Sequence, residues 1–436
     1  MKMVLSVWFS IVVFAVCLCD TAFAQTMQEE IAQLKEMISR LEGRLARQEN
    51  KAVEVEKIAH GAERQISEFI NYTPGEGVEI KPAGLAIGAG GTFILQSSAK
   101  VNGDEYIDKN RNASDASYSM DLEFGKTFDD YGMAFLHLET GSGPGIDERL
   151  KVFSPVNRDA DDSDSGVSVT EIWYEHYFKF MPLTVTFGKI DPTAYIDTNA
   201  YANDECRQFL GSVFRNSPVI EFPDDNTAGI RAAVEINSFM DIEFISADAD
   251  ADWKDVFNNM FVAGQFNIKP DIFKKKGNYR VYAWLNDKNH IKWSDSLKDK
   301  ERGYGLGVSV DQEIADAVGV FARYGWQDPE VYAQDAEYSL EQSWSAGVNL
   351  SGKAWGREDD VFAIAFGQAK PSGDYKKADE FKAKTENHLE FYYNYKVNEN
   401  LSISPDAQVI WDPYGADALN TDKSIFIAGI RAQVDF

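Results

Sequence analysis

Cysteine is almost absent from this sequence, with three in 436 residues. Cys17 and Cys19 fall inside an apolar N-terminal run, which leaves Cys206 without a partner, so no disulfide framework of the kind that staples small secreted domains is available. Basic residues are scarce too. The 43 Lys and Arg face 70 Asp and Glu, a formal charge of −27, and that balance excludes a nucleic-acid surface, which would be basic. Long hydrophobic runs are missing after the N-terminus: nothing approaches the roughly 18 consecutive apolar residues of a membrane-spanning helix. A membrane location is then open only to a closed β-barrel. Histidine is limited to five residues, His60, His137, His176, His290 and His388. His137 and Glu139 share a strand face as a minimal base and orienter, but no nucleophile motif accompanies them, so no enzyme is expected. No nucleotide-binding motif or plug domain is present, and no cofactor is expected.

What is there begins with export. In residues 1–24 Lys2 supplies a positive start, Val4 to Leu18 an apolar run, and Ala22-Phe23-Ala24 a small-x-small cleavage site, the pattern of a signal peptide. Val16 and Leu18 precede the two cysteines where a lipoprotein signal needs a small residue. Residues 25–70 change character. Met27, Ile31, Leu34, Ile38, Leu41, Leu45, Gln48, Ala52 and Val55 alternate spacings of four and three, with Glu and Lys/Arg on the flanks. That is a heptad seam, and a stripe so narrow needs a partner, which predicts a self-associating coiled coil in the periplasm. Gly43 and Gly61 limit its length. Residues 71–83, with Pro74, Gly75, Gly77 and Pro82, form a linker.

From 84 to 436 the period is two. Met120, Leu122 and Phe124 share a face opposite Asp121 and Glu123; Ile230, Val234 and Ile236 oppose Arg231 and Glu235; Phe426, Ile430 and Val434 oppose Arg431, Gln433 and Asp435. A soluble sandwich also alternates, but a dry core would not accept unpaired charges on the opposite face, whereas a watery lumen does. Short turns such as 129–132 and 398–400 contrast with long polar segments at 102–114, 143–166 and 191–225, as in outer-membrane barrels. Tyr177, Phe178, Trp284, Trp326, Trp344 and Trp411 at strand ends suit interfacial girdles. About 350 residues at roughly ten per strand plus connections give about 16 antiparallel strands, an all-β transmembrane barrel wide enough for an aqueous channel.

Two segments resemble the carbohydrate-selective porin (OprB-like) family. The first runs from Val169-Thr170-Glu171-Ile172-Trp173-Tyr174-Glu175 through Phe187-Gly188-Lys189-Ile190-Asp191 to Asp197-Thr198-Asn199-Ala200-Tyr201-Ala202-Asn203-Asp204-Glu205, Gln208-Phe209-Leu210 and Asn216-Ser217-Pro218. The second runs from Glu390-Phe391-Tyr392 through 401–410 to Gly429-Ile430-Arg431 and the terminal Phe436, an aromatic end of the type that barrel assembly machinery reads. The resemblance implies a 16-stranded pore passing sugars across the outer membrane, among lipid and lipopolysaccharide, with a homotrimer the expected assembly.

Residues 191–225 are unusually apolar for a loop, with Tyr195, Ile196, Tyr201, Phe209, Leu210, Val213 and Phe214. Folding inward would shelter them and place Asp191, Asp197, Asn199, Asn203, Asp204, Glu205, Arg207 and Arg215 around a constriction. The alternative is that these residues only tether the loop, with Asp197 and Asn199 capping turns. Glu171, Glu175 and Arg231 share the lumen parity and would tune ion preference. Asp248, Asp250 and Asp252 resemble the opening of a calcium loop, but Trp253 stands at its glycine and Asn259 at its closing glutamate. Together with the run at 159–164 they are expected to be acidic external loops, with no metal site; Lys274-Lys275-Lys276 is expected to be a charged turn. The resulting reading is passive diffusion of small hydrophilic solutes. An envelope tether with an incidental pore, or a selective siderophore-type porin, are the alternatives.

Overall fold

A computed structural model describes residues 32–33, 35–49, 51, 53, 69–103, 112–160, 166–272, 274–297, 300–334, 336–378, 382–416 and 424–436. The leader 1–24, the seam positions Met27, Ile31, Leu34, Ala52 and Val55, Gly61, and the acidic positions 161–164 lie outside these. The chain divides into two compact units, 1–70 and 71–436. In the first, the described residues are helical, and Met37, Ile38, Leu41 and Leu45 are each more than half exposed. An exposed Arg40–Glu36 pair at 2.7 Å adds one turn of side-chain support, a few tenths of a kcal/mol.

The second unit is a β-barrel. Its strands are β1 (Leu85–Ala99), β2 (Asn112–Phe128), β3 (Gly132–Ser142), β4 (Ser168–Phe178), β5 (Leu183–Ile190) and β6 (Thr227–Asn237). There follow β7 (Met240–Asp248), β8 (Met260–Ile268), β9 (Lys275–Lys292), β10 (Glu301–Ala315) and β11 (Val318–Gln327). The wall ends with β12 (Leu340–Ser351), β13 (Val361–Pro371), β14 (Glu386–Lys396), β15 (Leu401–Trp411) and β16 (Ser424–Asp435). Each is antiparallel to the next, and β16 pairs with β1 from Phe426↔Ala99 to Asp435↔Gly90, so the 16-stranded sheet closes. Four short strands at Ile70–Thr73, Gly77–Ile80, Asp271–Ile272 and Val331–Ala333 join the same sheet; Gly77–Ile80 pairs with the start of β1, so the linker is partly built into the wall.

The period-two pattern sorts the faces. Phe93, Leu95, Met120, Leu306, Phe426 and Ile430 are exposed on the outside, while their strand neighbours Thr92, Gln96, Ser119, Arg431 and Gln433 are buried. Apolar-out and polar-in is the reverse of a soluble fold and the arrangement that lipid requires. Connections alternate in length. Those at 129–131, 179–182, 238–239 and 316–317 are tight, and those at 143–167, 191–226 and 372–385 are long. Trp344 and Trp411 are outward and partly exposed, flanking Phe366. Trp284 is not a girdle residue: it is 4% exposed in an interior cluster with Ile196, Ile220 and Tyr282. Tyr177 also departs from that expectation, since it shares the parity of Glu171 and Glu175 and lines an interior cavity. Position at a strand end does not decide the face; parity does.

Val308 lies outward at the middle of β10, and Ile314 outward near its tight-turn end. Val308→Arg should destabilise the barrel by about 2–4 kcal/mol and Ile314→Arg by no more than about 1 kcal/mol, read from urea unfolding out of lipid vesicles.

Candidate functional site: the barrel interior

The interior wall is chemically lopsided. On β12 and β13 most inward positions are small, Ser343, Ser345, Gly347, Ala363, Ala365, Gly367 and Ala369, with the larger Asn349 and Val361 at one end. On β11 they include Gly319 and Gly325. A Cβ at Gly319 would collide with the Tyr201 ring, and one at Gly325 with Ser217 and Val219. These small residues make a bed for the 191–226 connection. Phe209, Val213 and Phe214 pack there with Phe321, Ala363, Ala365 and Tyr392 in one buried cluster.

Charged groups on the wall fix the segment by its backbone. Glu390 of β14 accepts from the amides of Leu210 (2.7 Å) and Gly211 (2.9 Å). Arg431 of β16 donates to the carbonyls of Glu205 (2.6 Å) and Gln208 (2.9 Å). Arg323 of β11 donates to the Phe214 carbonyl, to the Asp197 carbonyl at 2.9 Å and to the Asn203 Oδ1 at 3.2 Å. Gln265 of β8 accepts from the Asp197 amide at 2.9 Å. Partners from β8 to β16 therefore hold one segment.

The sequence-selected residues form two overlapping groups, with Asp191 and Asp204 in both. Asp197 is fully buried (0% exposed), in a left-handed conformation at φ 62°, with its carboxylate taking the Ser217 amide at 2.7 Å and facing the Arg323 guanidinium at 3.3 Å. Asn199 is buried, donates to the Ser309 Oγ and the Val310 carbonyl, and accepts from the Tyr201 amide. Both are turned away from open space, so the expectation that they ring a constriction gives way to tethering. Asp204 caps the turn carrying the Cys206 and Arg207 amides. Arg207 pairs with Asp435 at 2.7 Å, and Asp191 caps the turn at Thr193.

The second group faces a polar cavity of about 890 Å³. Glu171, Asp191, Asn203, Asp204, Glu205 and Arg215 line it, Arg215 paired to Glu205 at 2.7 Å. Across from the segment, Asp121, Glu123, His137 and Glu139 on β2 and β3 form the opposite bank, with His137 bonded to Asp121 at 2.8 Å. Nearer the tight turns, Arg231 pairs with Glu175 (3.1 Å) and Glu243 (2.8 Å) and lies 4.5 Å over the Tyr195 ring. Beyond it a cavity of about 490 Å³ is lined by Tyr177, Asp241, Glu243, Asn267 and Arg280. Asp121 and Glu123 stand on the inward face that the alternation in the sequence assigns them, and Glu243, which the sequence reading does not name, joins them by the same parity.

The 143–160 stretch also departs from expectation. Instead of a solvated external loop, it buries Ile146, Phe153 and Val156. Glu386 of β14 accepts from the Phe153 and Ser154 amides, and Val156 offers its carbonyl to Gln408 of β15. Asp159, expected in an external acidic run, is buried beside Ser119 (3.0 Å) and the Cys206 thiol (3.4 Å), while its second oxygen has no donor. Burial pushes its carboxyl from an ordinary 3.8 to about 7. The folded chain thus binds a proton between those pH values; the stability this proton contributes is full in acid and is lost as pH rises through about 7. Asp159→Asn should raise stability at pH 8 by on the order of 1–3 kcal/mol and leave it little changed at pH 4, measured by thermal unfolding in detergent.

Comparison with known proteins fits this architecture. A family model described as "Carbohydrate-selective porin, OprB family" matches residues 109–436. An uncharacterised protein of Aquifex aeolicus (strain VF5) is 27% identical over 323 residues, 74% of this chain and 82% of that protein. The high-pH structure of Pseudomonas putida OprB superposes with a TM-score of 0.68 at 15% identity, covering 82% of this chain and 95% of that one. The low-pH structure of the same protein gives 0.51 at 14% identity, covering 82% and 94%. These likenesses place the fold, and the match over most of the barrel places the lineage: the chain belongs to the OprB family of carbohydrate-selective porins, barrels of the outer membrane.

Proposed function

We propose that the protein is a passive pore for small hydrophilic solutes, sugars foremost, with the 191–226 segment folded into the bore and setting its size limit. The observation that carries this reading is the lopsided interior: the segment rests on the small-residue wall of β11–β13, and the open polar space lies against β2, β3 and β4. Glu171, Asp191, Glu205, Arg215, Glu175 and Arg231 are then the groups that solutes meet. Carboxylates and amides accept and donate to sugar hydroxyls, and Tyr195 and Trp173 supply aromatic faces. Asp197 and Asn199 act by holding the segment's shape. The surplus of acids on the β2–β4 bank gives a preference for cations. His137 is a wall residue in this reading, and no catalysis is assigned to it.

The exposed seam residues Ile38, Leu41 and Leu45 support a self-associating coiled coil in the periplasm, holding protomers together, a homotrimer by preference. Lipid and lipopolysaccharide surround the barrel, and barrel assembly machinery reads its last strand, β16.

Liposome swelling tests the pore. Gly325→Val, which crowds Ser217 and Val219, and Glu390→Gln, which replaces one of the two oxygens that accept from the Leu210 and Gly211 amides with a donor, should each loosen the segment and speed disaccharide entry about 2- to 5-fold, with smaller gains for monosaccharides. Unchanged size dependence in both would remove the segment from the role of constriction. Cross-linking of full-length protein and of a 25–70 deletion should give oligomers that depend on the helix while conductance persists.

A further inference from the structure

At the outer end of β7 the chain enters the 249–259 connection, and there Asp248, Asp250 and Asp252 each present a carboxylate oxygen, all within 4.8 Å of one another. Acids often gather on a solvated loop, where water separates them. Asp248 has no such relief. It is 1% exposed, and both of its oxygens are sealed from solvent without a hydrogen-bond partner. The Trp253 amide faces it without completing a hydrogen bond. Asp250 Oδ1 is sealed and unpartnered as well, while its Oδ2 accepts from Asn259 Nδ2 at 2.6 Å. Among the described residues no Lys or Arg side chain pairs with Asp248 or Asp250; the Lys254 ammonium stands 3.9 Å from Asp252 and is directed to solvent.

A buried carboxylate with neither a donor nor a cation carries its full desolvation cost, and two more acids beside it add repulsion. One hard cation would answer all three groups at once. We infer that residues 248–259 form a divalent-cation site of calcium type, with Asp248, Asp250 and Asp252 as its carboxylate ligands. An all-oxygen donor set without His or Cys selects calcium over zinc, and carboxylates on an irregular loop suit its larger, less directional shell better than the strict octahedron of magnesium. The sequence objection to such a loop was Trp253 at the glycine position. Trp253 nevertheless adopts the left-handed conformation that glycine ordinarily supplies there, at φ 61°. At the closing position Asn259 stands in place of glutamate and meets the cluster through its Nδ2, which donates to Asp250.

The site is tied to the mouth of the barrel. The Ala249 amide donates to the Asn259 carbonyl (2.9 Å), which closes the loop, and the Ala249 carbonyl accepts from the Asp224 amide (3.3 Å) at the end of the 191–226 segment. Ala249 itself is buried with Ile196 and Ile220 of that segment. An ion here would fasten the outer loop to the segment's exit.

The test uses full-length protein refolded in detergent without lipopolysaccharide and stripped with EDTA. Calorimetric titration with calcium chloride should reveal one saturable site, and terbium bound there should luminesce through Trp253. Magnesium chloride should compete at least tenfold more weakly. Asp250→Asn should weaken calcium binding at least tenfold. Asp248→Asn separates a site from a mere acidic surface: without calcium it should unfold at the same or a higher temperature than the parent, because a buried charge is gone. With calcium it should lose the parent's increase. Absence of saturable binding, or calcium binding and stabilisation undiminished in both variants, would overturn the site.

Discussion

A peptide group facing hydrocarbon has no water to bond with, so every amide and carbonyl of the wall must find its partner within the sheet. That single requirement forces β16 back onto β1, and the rest of the structure answers to it. Closure at 16 strands fixes a circumference too wide for side chains to fill from the wall inward. The outer face then has to be apolar because it meets lipid. The inner face is free to carry Asp121, Glu171 or Arg231 because it meets water or another polar group.

The excess width is taken up by main chain rather than by larger side chains, and this explains why the anchors are charged. A backbone crossing the interior brings its own amides and carbonyls, which need partners in a place where the wall's ladder bonds are already used. Glu390, Glu386, Arg323 and Arg431 supply them, each ion meeting two or more backbone groups. Such buried ions are costly to desolvate, and removing one partner strands the other, so they fix position more than they add stability. The small side chains of β12 and β13 complete the device by letting the segment lie close. The open space is pushed to the opposite bank.

Much of this was legible as parity. The alternation in β2, β6 and β16 gave the barrel, its inward charges and the approximate strand number, and the apolar content of 191–225 marked that segment as unlike a solvated loop. Parity also places Tyr177 and Trp284 inside, where nearness to a strand end points to an interfacial girdle instead. The small inward residues of β12 and β13 form a pattern too, one that announces a neighbour by the absence of bulk. The roles of Asp197 and Asn199 were not legible. A run rich in acids and amides looks alike whether it faces solute or its own backbone, and only the turn at Asp197, with its positive φ, decides which way the carboxylate points.

The formal charge of −27 looks different once the acids are sorted by what surrounds them. Those on β2, β3 and β4 stand along open space, where water keeps their mutual repulsion small. Glu390 and Asp197 are dry but have amides or a guanidinium aimed at them. Asp159 and Asp248 belong to neither class: each is buried, pairs with no Lys or Arg among the described residues, and has at least one oxygen unanswered. The two have different exits from that position. Asp159 stands beside a hydroxyl and a thiol, neutral neighbours that leave protonation as its way to shed charge. Asp248 stands beside two further carboxylates, where a proton would relieve one group and leave the others facing each other, whereas a divalent ion satisfies all three. Among the described residues, the acidity of the chain thus gathers at the outer end of β7 a cluster whose chemistry calls for a cation.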